Sequence, residues 1–261
     1  MSLIKVVGID LAKLVFSIHG VDEHGKCKLR KTIKRNNLLA EVAKLPRCII
    51  GMEACSGSHH WAREFTKLGH EVRIMASKFV IPYRQSEKND ANDAEAICEA
   101  VSRPKTRFVS VKSEEQQAVL CLHRIRQGAI KDRTARINRL RGLLSEFGII
   151  MPKGRYPAQH AISGILEDAE NALPLLAREL LDNLWQSIKA LNEEILLYDR
   201  KLYRLANQMQ AAKRLMSIPG VGEITATAVV ATVNDAKHFA SSRAFSAWIG
   251  LVPKQYTTGG V

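Results

Sequence analysis

The first hundred residues change their hydrophobic period several times. IKVVGID (4–10) and VFSIHG (15–20) are short β-rich runs, and KCKLRKTI (26–33) alternates with period two, so all three read as strands. NNLLAEVAKL (36–45) has helical spacing and an asparagine placed to cap it. CIIGME (48–53) carries the continuous apolar pattern of a buried strand. A helix follows near 57–68, EVRIMA (71–76) reads as another strand, and 92–101 as a helix. Three antiparallel-looking strands followed by alternating helix and strand predict an α/β layer fold with a mixed sheet. A ribonuclease-H-like core has that order, as do many other folds.

Between 113 and 147 the texture changes to apolar residues at helical spacing with few breakers. A loop around MPKGRYP (151–157) follows, and 168–209 is again helical, with Leu and Ile at roughly heptad intervals. Two long antiparallel helices are expected, either as a coiled-coil-like arm or as two members of a bundle. In LMSIPGVGEITATAVVA (215–231) a short helix ends at Ile218-Pro219, Gly-Val-Gly turns the chain, and an Ala/Val-rich helix begins. This is the helix-hairpin-helix pattern. Gly220 and Gly222 permit positive φ and close approach, so that backbone N–H groups at the turn and the next helix start point at a phosphate. A plain helical turn with two glycines is the alternative. The division expected is 1–110 for the sheet domain, 111–210 for the helical arm and 211–261 for a small α-helical C-terminal domain.

Charge narrows the partners. The 261 residues hold 39 Lys and Arg against 26 Asp and Glu, a formal charge of +13, which points to a polyanion and most simply to nucleic acid. The densest stretch is RIRQGAIKDRTARINRLR (124–141). There Arg124, Arg126, Lys131, Arg133, Arg136, Arg139 and Arg141 oppose only Asp132. They cannot all share one face; the set reads as a track for a phosphate backbone, with solvated surface charge as the alternative. The five cysteines show no zinc-type spacing and read as reduced thiols, several of them core filler. No signal-peptide pattern and no membrane-length apolar run is present, so a soluble, cytoplasmic protein is expected.

Four acids stand out by placement. Asp10 ends the first strand in VVGIDLAK, and Glu53 ends a later strand in IIGMEACSG. Asp90 and Asp93 lie three apart at the start of a helix, on one face. Strand ends in an α/β sheet point into the crevice where ligands bind. Converging carboxylates repel unless cations neutralise them, and Mg²⁺ or Mn²⁺ is the hard, oxygen-loving choice for phosphodiester chemistry. Each acid alone also has a plain reading as a cap or surface charge: Asp90 could cap a helix beginning near Ala91, and Glu95 and Glu99 could be the real partners. The Asp10 segment also has a likeness to the phosphate loop of actin-like ATPases. However, Leu11-Ala12-Lys13 follows instead of Gly with Ser or Thr, and a second glycine-rich loop is missing.

Taken in series, GIDLAK (8–13), GMEACSGSHHW (51–61), KNDANDA (88–94), IPGVG (218–222) and FASSRAFSAWIGLVP (239–253) give the chain a family likeness. It resembles the DEDD-type insertion-sequence transposases, the insertion-sequence one-ten family, and most closely the one-one-one-one subgroup. The resemblance covers about residues 4 to 260. It implies a Holliday-junction-resolvase-like (RuvC-like) N-terminal domain, a helical arm and a C-terminal transposase domain, with the tetrad on Asp10, Glu53, Asp90 and Asp93. It also implies DNA as substrate, a non-coding guide RNA, a homodimer or homotetramer, and a nucleoid-associated bacterial protein. A C-terminal serine is the expected nucleophile of the family. This chain has Tyr256-Thr257-Thr258-Gly259-Gly260 there, leaving Thr257 and Thr258 as candidate hydroxyls. Family members continue beyond the position of Val261, so the C-terminal domain is expected to be cut through its middle. Two other outcomes stay open: a catalytically inert DNA- or RNA-binding remnant, and a Holliday-junction nuclease that uses water.

Overall fold

The computed structural model describes residues 3–84, 89–104, 106–171, 173–233 and 235–251. The chain divides into two compact units, Met1–Ser113 and Glu114–Val261. Among the described residues no helix is long and apolar enough to cross a membrane.

The first unit is built on a six-stranded mixed sheet. Its elements in chain order are β1 (Val6–Leu11), β2 (Val15–Val21), β3 (Cys27–Lys34), α1 (Leu38–Val42), β4 (Ile49–Glu53), α2 (Ser58–Lys67), β5 (Glu71–Met75), α3 (Asp90–Val101) and β6 (Phe108–Val109). The strand order is β3-β2-β1-β4-β5-β6. The first three strands form an antiparallel meander, β4 and β5 run parallel to β1, and β6 returns antiparallel beside β5. The mixed α/β sheet expected from the hydrophobic pattern is therefore present. β6 escaped that pattern because two residues are too few to show alternation.

Strand alternation gives the sheet two different faces. Val7, Ile9, Ile50 and Met52 point into the main core, where Phe16, Trp61, Phe65, Leu38 and Val42 meet them. Trp61 sits edge-on to Phe16 at 5.5 Å and stacks on Phe65 at 5.6 Å. The other face of β1 and β4 carries Gly8 and Gly51, which pair directly across the two strands. A Cβ on Gly8 would lie 2.2 Å from the Ala94 carbonyl oxygen, and one on Gly51 would lie 2.8 Å from Val101. The two glycines make a smooth floor for α3, which rests backbone to backbone on Gly8 and sets the Val101 side chain on Gly51.

Two caps differ from expectation. Asn37 makes no side-chain cap bond, because a 3-10 turn over Arg35–Asn37 leads into α1 and holds its backbone already helical. At α3 the cap is Asn89, whose side chain accepts from the Asn92 N–H at 2.8 Å; Asp90 is the first helical residue, not the cap. Of the five cysteines, Cys48 and Cys98 are buried, Cys27, Cys55 and Cys121 are exposed, and all five are free thiols.

The second unit is helical: α4 (Glu114–Ser145), α5 (Arg155–Glu167), α6 (Leu175–Gln208), α7 (Gln210–Met216), α8 (Glu223–Thr232) and α9 (Ser242–Trp248). α4 and α6 run antiparallel. Arg133 donates to Asn192 Oδ1 at 3.0 Å, Arg136 reaches the Ser187 carbonyl at 3.4 Å, and Arg126 pairs with Asp199. Ile137, Leu140 and Leu144 of α4 share a core with Leu181 and Ile188 of α6 and with Ala158 and Ile162 of α5. The sequence pattern assigns no element to 158–167. The Pro and Gly punctuation of MPKGRYP hides a helix whose third residue is Pro157, a first-turn position where proline is tolerated. α8 does not stand apart from the long helices: the buried Thr227 hydroxyl lies 3.0 Å from His123 Nε2 on α4. Alanines 206, 212 and 226 close the contact among α6, α7 and α8.

Candidate active site

The strand register sets the first two acids. β1 and β4 pair in parallel as Gly8 with Gly51 and Ile9 with Met52. One residue further along both strands come Asp10 and Glu53. Each lies two residues past its glycine, so each projects from the face that α3 covers. Both side chains are half-buried.

α3 runs antiparallel to β1. Cys98 Sγ lies 3.7 Å from the Val6 carbonyl, whereas Gly8 faces the level of Ala94 and Cys98. Two residues of strand advance about 6.6 Å, the rise of roughly four helical residues. From Gly8 to Asp10 the strand thus advances about one helical turn toward the start of α3, whose first turn carries Asp90 and Asp93. The partial positive charge of the helix N-terminus offsets part of the repulsion between those two carboxylates. The Cys55 pKa is raised, chiefly by partial desolvation of the thiol, and the negative charges of Glu53 and then Asp10 add to it.

Asp93 has a cationic partner that the sequence pattern did not single out. Arg84 Nε lies 3.2 Å from Asp93 Oδ1, with both side chains largely buried. No local spacing signals this contact, because it depends on a 3-10 turn over Ile81–Tyr83 that brings Arg84 back over α3. Among the described residues, no group of three or more His, Cys, Asp or Glu side chains is arranged to hold a metal ion. The donor set still suits a hard divalent ion, since all four candidates offer carboxylate oxygen. Asp10 and Glu53 follow the last paired residues of β1 and β4, Asp90 and Asp93 lie in the first turn of α3, and Asp93 is engaged by Arg84. Thr257 and Thr258 lie outside the described residues.

The seven cations of α4 divide. Arg133 is buried and bonded to Asn192, Arg126 and Arg136 turn toward α6, and Arg141 donates to Asn138 Oδ1 at 2.9 Å and to the Pro152 carbonyl at 3.3 Å. Arg124, Lys131 and Arg139 are exposed. At the Gly-Val-Gly turn only Gly220 uses positive φ, at 85°. Gly222 is extended, with φ −90° and ψ 179°, and precedes α8 without a side-chain cap bond.

Comparison with known proteins agrees with this architecture. A family of the DEDD IS110 type, described as transposase, matches residues 7–149, and one described as the IS116/IS110/IS902 transposase family matches residues 212–261. A probable family 20 transposase of Pseudomonas aeruginosa is 44% identical over 255 residues, covering 97% of this chain and 75% of that protein. The transposase for insertion sequence element IS1328 of Yersinia enterocolitica is 42% identical over 260 residues, covering 100% and 77%. The transposase for insertion sequence element IS1111A of Coxiella burnetii is 40% identical over 259 residues, covering 99% and 71%. With a match over more than half its length and relatives aligned along nearly all of it, the chain belongs to the IS110 family of insertion-sequence DNA transposases.

Proposed function

We propose that the chain recombines the DNA of an insertion sequence through a site formed by Asp10, Glu53, Asp90 and Asp93, which hold Mg²⁺ or Mn²⁺. The observation that carries this is the pairing of Gly8 with Gly51, which aims Asp10 and Glu53 toward the side where α3 presents its acidic first turn. Such an ion supplies neutralisation of the phosphate charge. The chain's own contribution is to set four carboxylates on a rigid sheet and a helix that cannot slide, because its backbone is locked against Gly8. A hydroxyl of Thr257 or Thr258 is the proposed nucleophile, and a non-coding RNA the proposed guide. The family likeness behind these two roles also suggests a homodimer or homotetramer as the working form. Arg124, Lys131 and Arg139 are the proposed phosphate contacts on α4, in the stretch read as a coiled-coil-like arm. The Gly220–Gly222 turn with α8 is the proposed helix-hairpin-helix.

Calorimetric titration with Mn²⁺ tests the metal assignment. Asp10→Asn and Asp93→Asn should each weaken binding about tenfold or more, while affinity for junction DNA stays within about twofold, since one lost charged ligand is worth well over 1.4 kcal/mol. Identical Mn²⁺ uptake by wild type and both variants rejects the site. The absence of a three-ligand cluster among the described residues and the Arg84–Asp93 pair favour a second reading, a nucleic-acid-binding protein without chemistry. A labelled four-way junction run on a denaturing gel separates the readings: a persistent covalent band that disappears in a Thr257→Val, Thr258→Val double variant supports the enzyme.

A further inference from the structure

Arg84 occupies a position that the transposase reading leaves unexplained. Its backbone is fixed by a 3-10 turn in which the Tyr83 N–H donates to the Val80 carbonyl at 2.9 Å and the Arg84 N–H to the Ile81 carbonyl at 3.2 Å. Val80 and Tyr83 pack against Ala96, Ile97, Ala100 and Val101 of α3. The turn is thus anchored to the same helix that carries Asp93, and Arg84 reaches along it toward the first turn. Its Nε faces Asp93 Oδ1 at 3.2 Å, with the two side chains only 23% and 17% exposed. A pair this sheltered from water is screened less than a surface ion pair.

We propose that Arg84 is a positioning residue for the acidic corner. Its guanidinium is a tethered counter-ion that holds Asp93, and a divalent ion that takes Asp93 Oδ1 must draw that oxygen away from Arg84. The proposal rests on the metal-site reading above. Its consequence is opposite in sign to that of the acids: loss of Arg84 makes divalent-ion binding tighter, because the competitor for one ligand oxygen is gone. An arginine with a purely structural role, bracing the turn against α3, would not change the affinity in that direction.

The test is Mn²⁺ titration of the full chain as wild type, Arg84→Gln, Arg84→Lys and Asp10→Asn, with no DNA present. Arg84→Gln should bind Mn²⁺ about three- to fivefold tighter than wild type, and Arg84→Lys, which keeps the charge, should fall between them. The gain should persist between about 0.1 M and about 1 M salt, where the Debye length falls from about 10 Å to about 3 Å, because the competition is at contact. Unchanged or weaker binding in Arg84→Gln, with Asp10→Asn strongly impaired, overturns the role of Arg84 and leaves the site standing. A gain that vanishes at high salt also overturns it, since that is a long-range field effect. Wild-type binding by Asp10→Asn overturns the site itself, and the Arg84 proposal with it.

Discussion

In the sheet unit, strand register sets Asp10 and Glu53 at the ends of two neighbouring parallel strands, and a helix laid across two glycines carries Asp90 and Asp93 in its first turn. In the helical unit, cations within a single stretch of α4 are sent to opposite sides of one helix. Arg126, Arg133 and Arg136 turn toward α6, while Arg124, Lys131 and Arg139 remain exposed. Closeness in sequence therefore does little to predict closeness of function here. Asp10 and Glu53, more than forty residues apart in the sequence, stand at the ends of neighbouring strands because backbone hydrogen bonding aligns those strands. The arginines, a few residues apart, differ because a 3.6-residue period separates them.

The strongest way to break this contrast is to spoil the glycine floor. Gly8→Ala puts a methyl group 2.2 Å from the Ala94 carbonyl oxygen, a clash with backbone that no rotamer relieves. It should cost about 3 kcal/mol or more, read as a lowered urea midpoint. Gly51→Ala meets the Val101 side chain instead and should cost less, about 1–3 kcal/mol. Equal costs would mean that α3 does not rest on Gly8 as described.

The sheet and most helices could be read in the sequence, and the repeat Gly-x-acid at the ends of two strands, GID and GME, is what singles out Asp10 and Glu53. Each acid follows its glycine by the one step that keeps both on the same face. What the sequence hid was non-local. Arg84 gives no signal because its contact needs a tertiary turn. The fate of Arg133 depends on Asn192, fifty-nine residues away. Gly220 and Gly222 look equivalent in IPGVG, yet only Gly220 takes the left-handed conformation. Helix α5 was masked by proline and glycine that mark its beginning rather than its absence.

The two sides of α4 provide the next test. Arg133→Ala leaves Asn192 without its guanidinium partner inside the helix pair and should cost about 2–3 kcal/mol of stability. The triple variant Arg124→Gln, Lys131→Gln, Arg139→Gln should leave stability within about 0.5 kcal/mol of wild type. If all three contact phosphates, its DNA binding should lose roughly 2–3 from the slope of log affinity against log salt. A triple variant that unfolds early while keeping its salt slope would invert the assignment of inner and outer faces.

The smallest effect concerns where α3 begins, and so which residues its first turn presents. The Asn89 side chain accepts from the Asn92 N–H at 2.8 Å, satisfying one of the donors that a helix start leaves open. Asn89→Ala should cost about 1 kcal/mol. Asp90→Ala removes a charge that the helix N-terminus favours but Asp93 repels, so its net cost should be smaller, below about 0.5 kcal/mol, and most of it should be lost in high salt. Denaturant unfolding of both variants at low and high salt reads the difference. If Asp90→Ala proves the more costly and is indifferent to salt, Asp90 is the cap after all. Its carboxylate is then committed to the backbone of α3 and withdrawn from the edge where Asp10 and Glu53 stand.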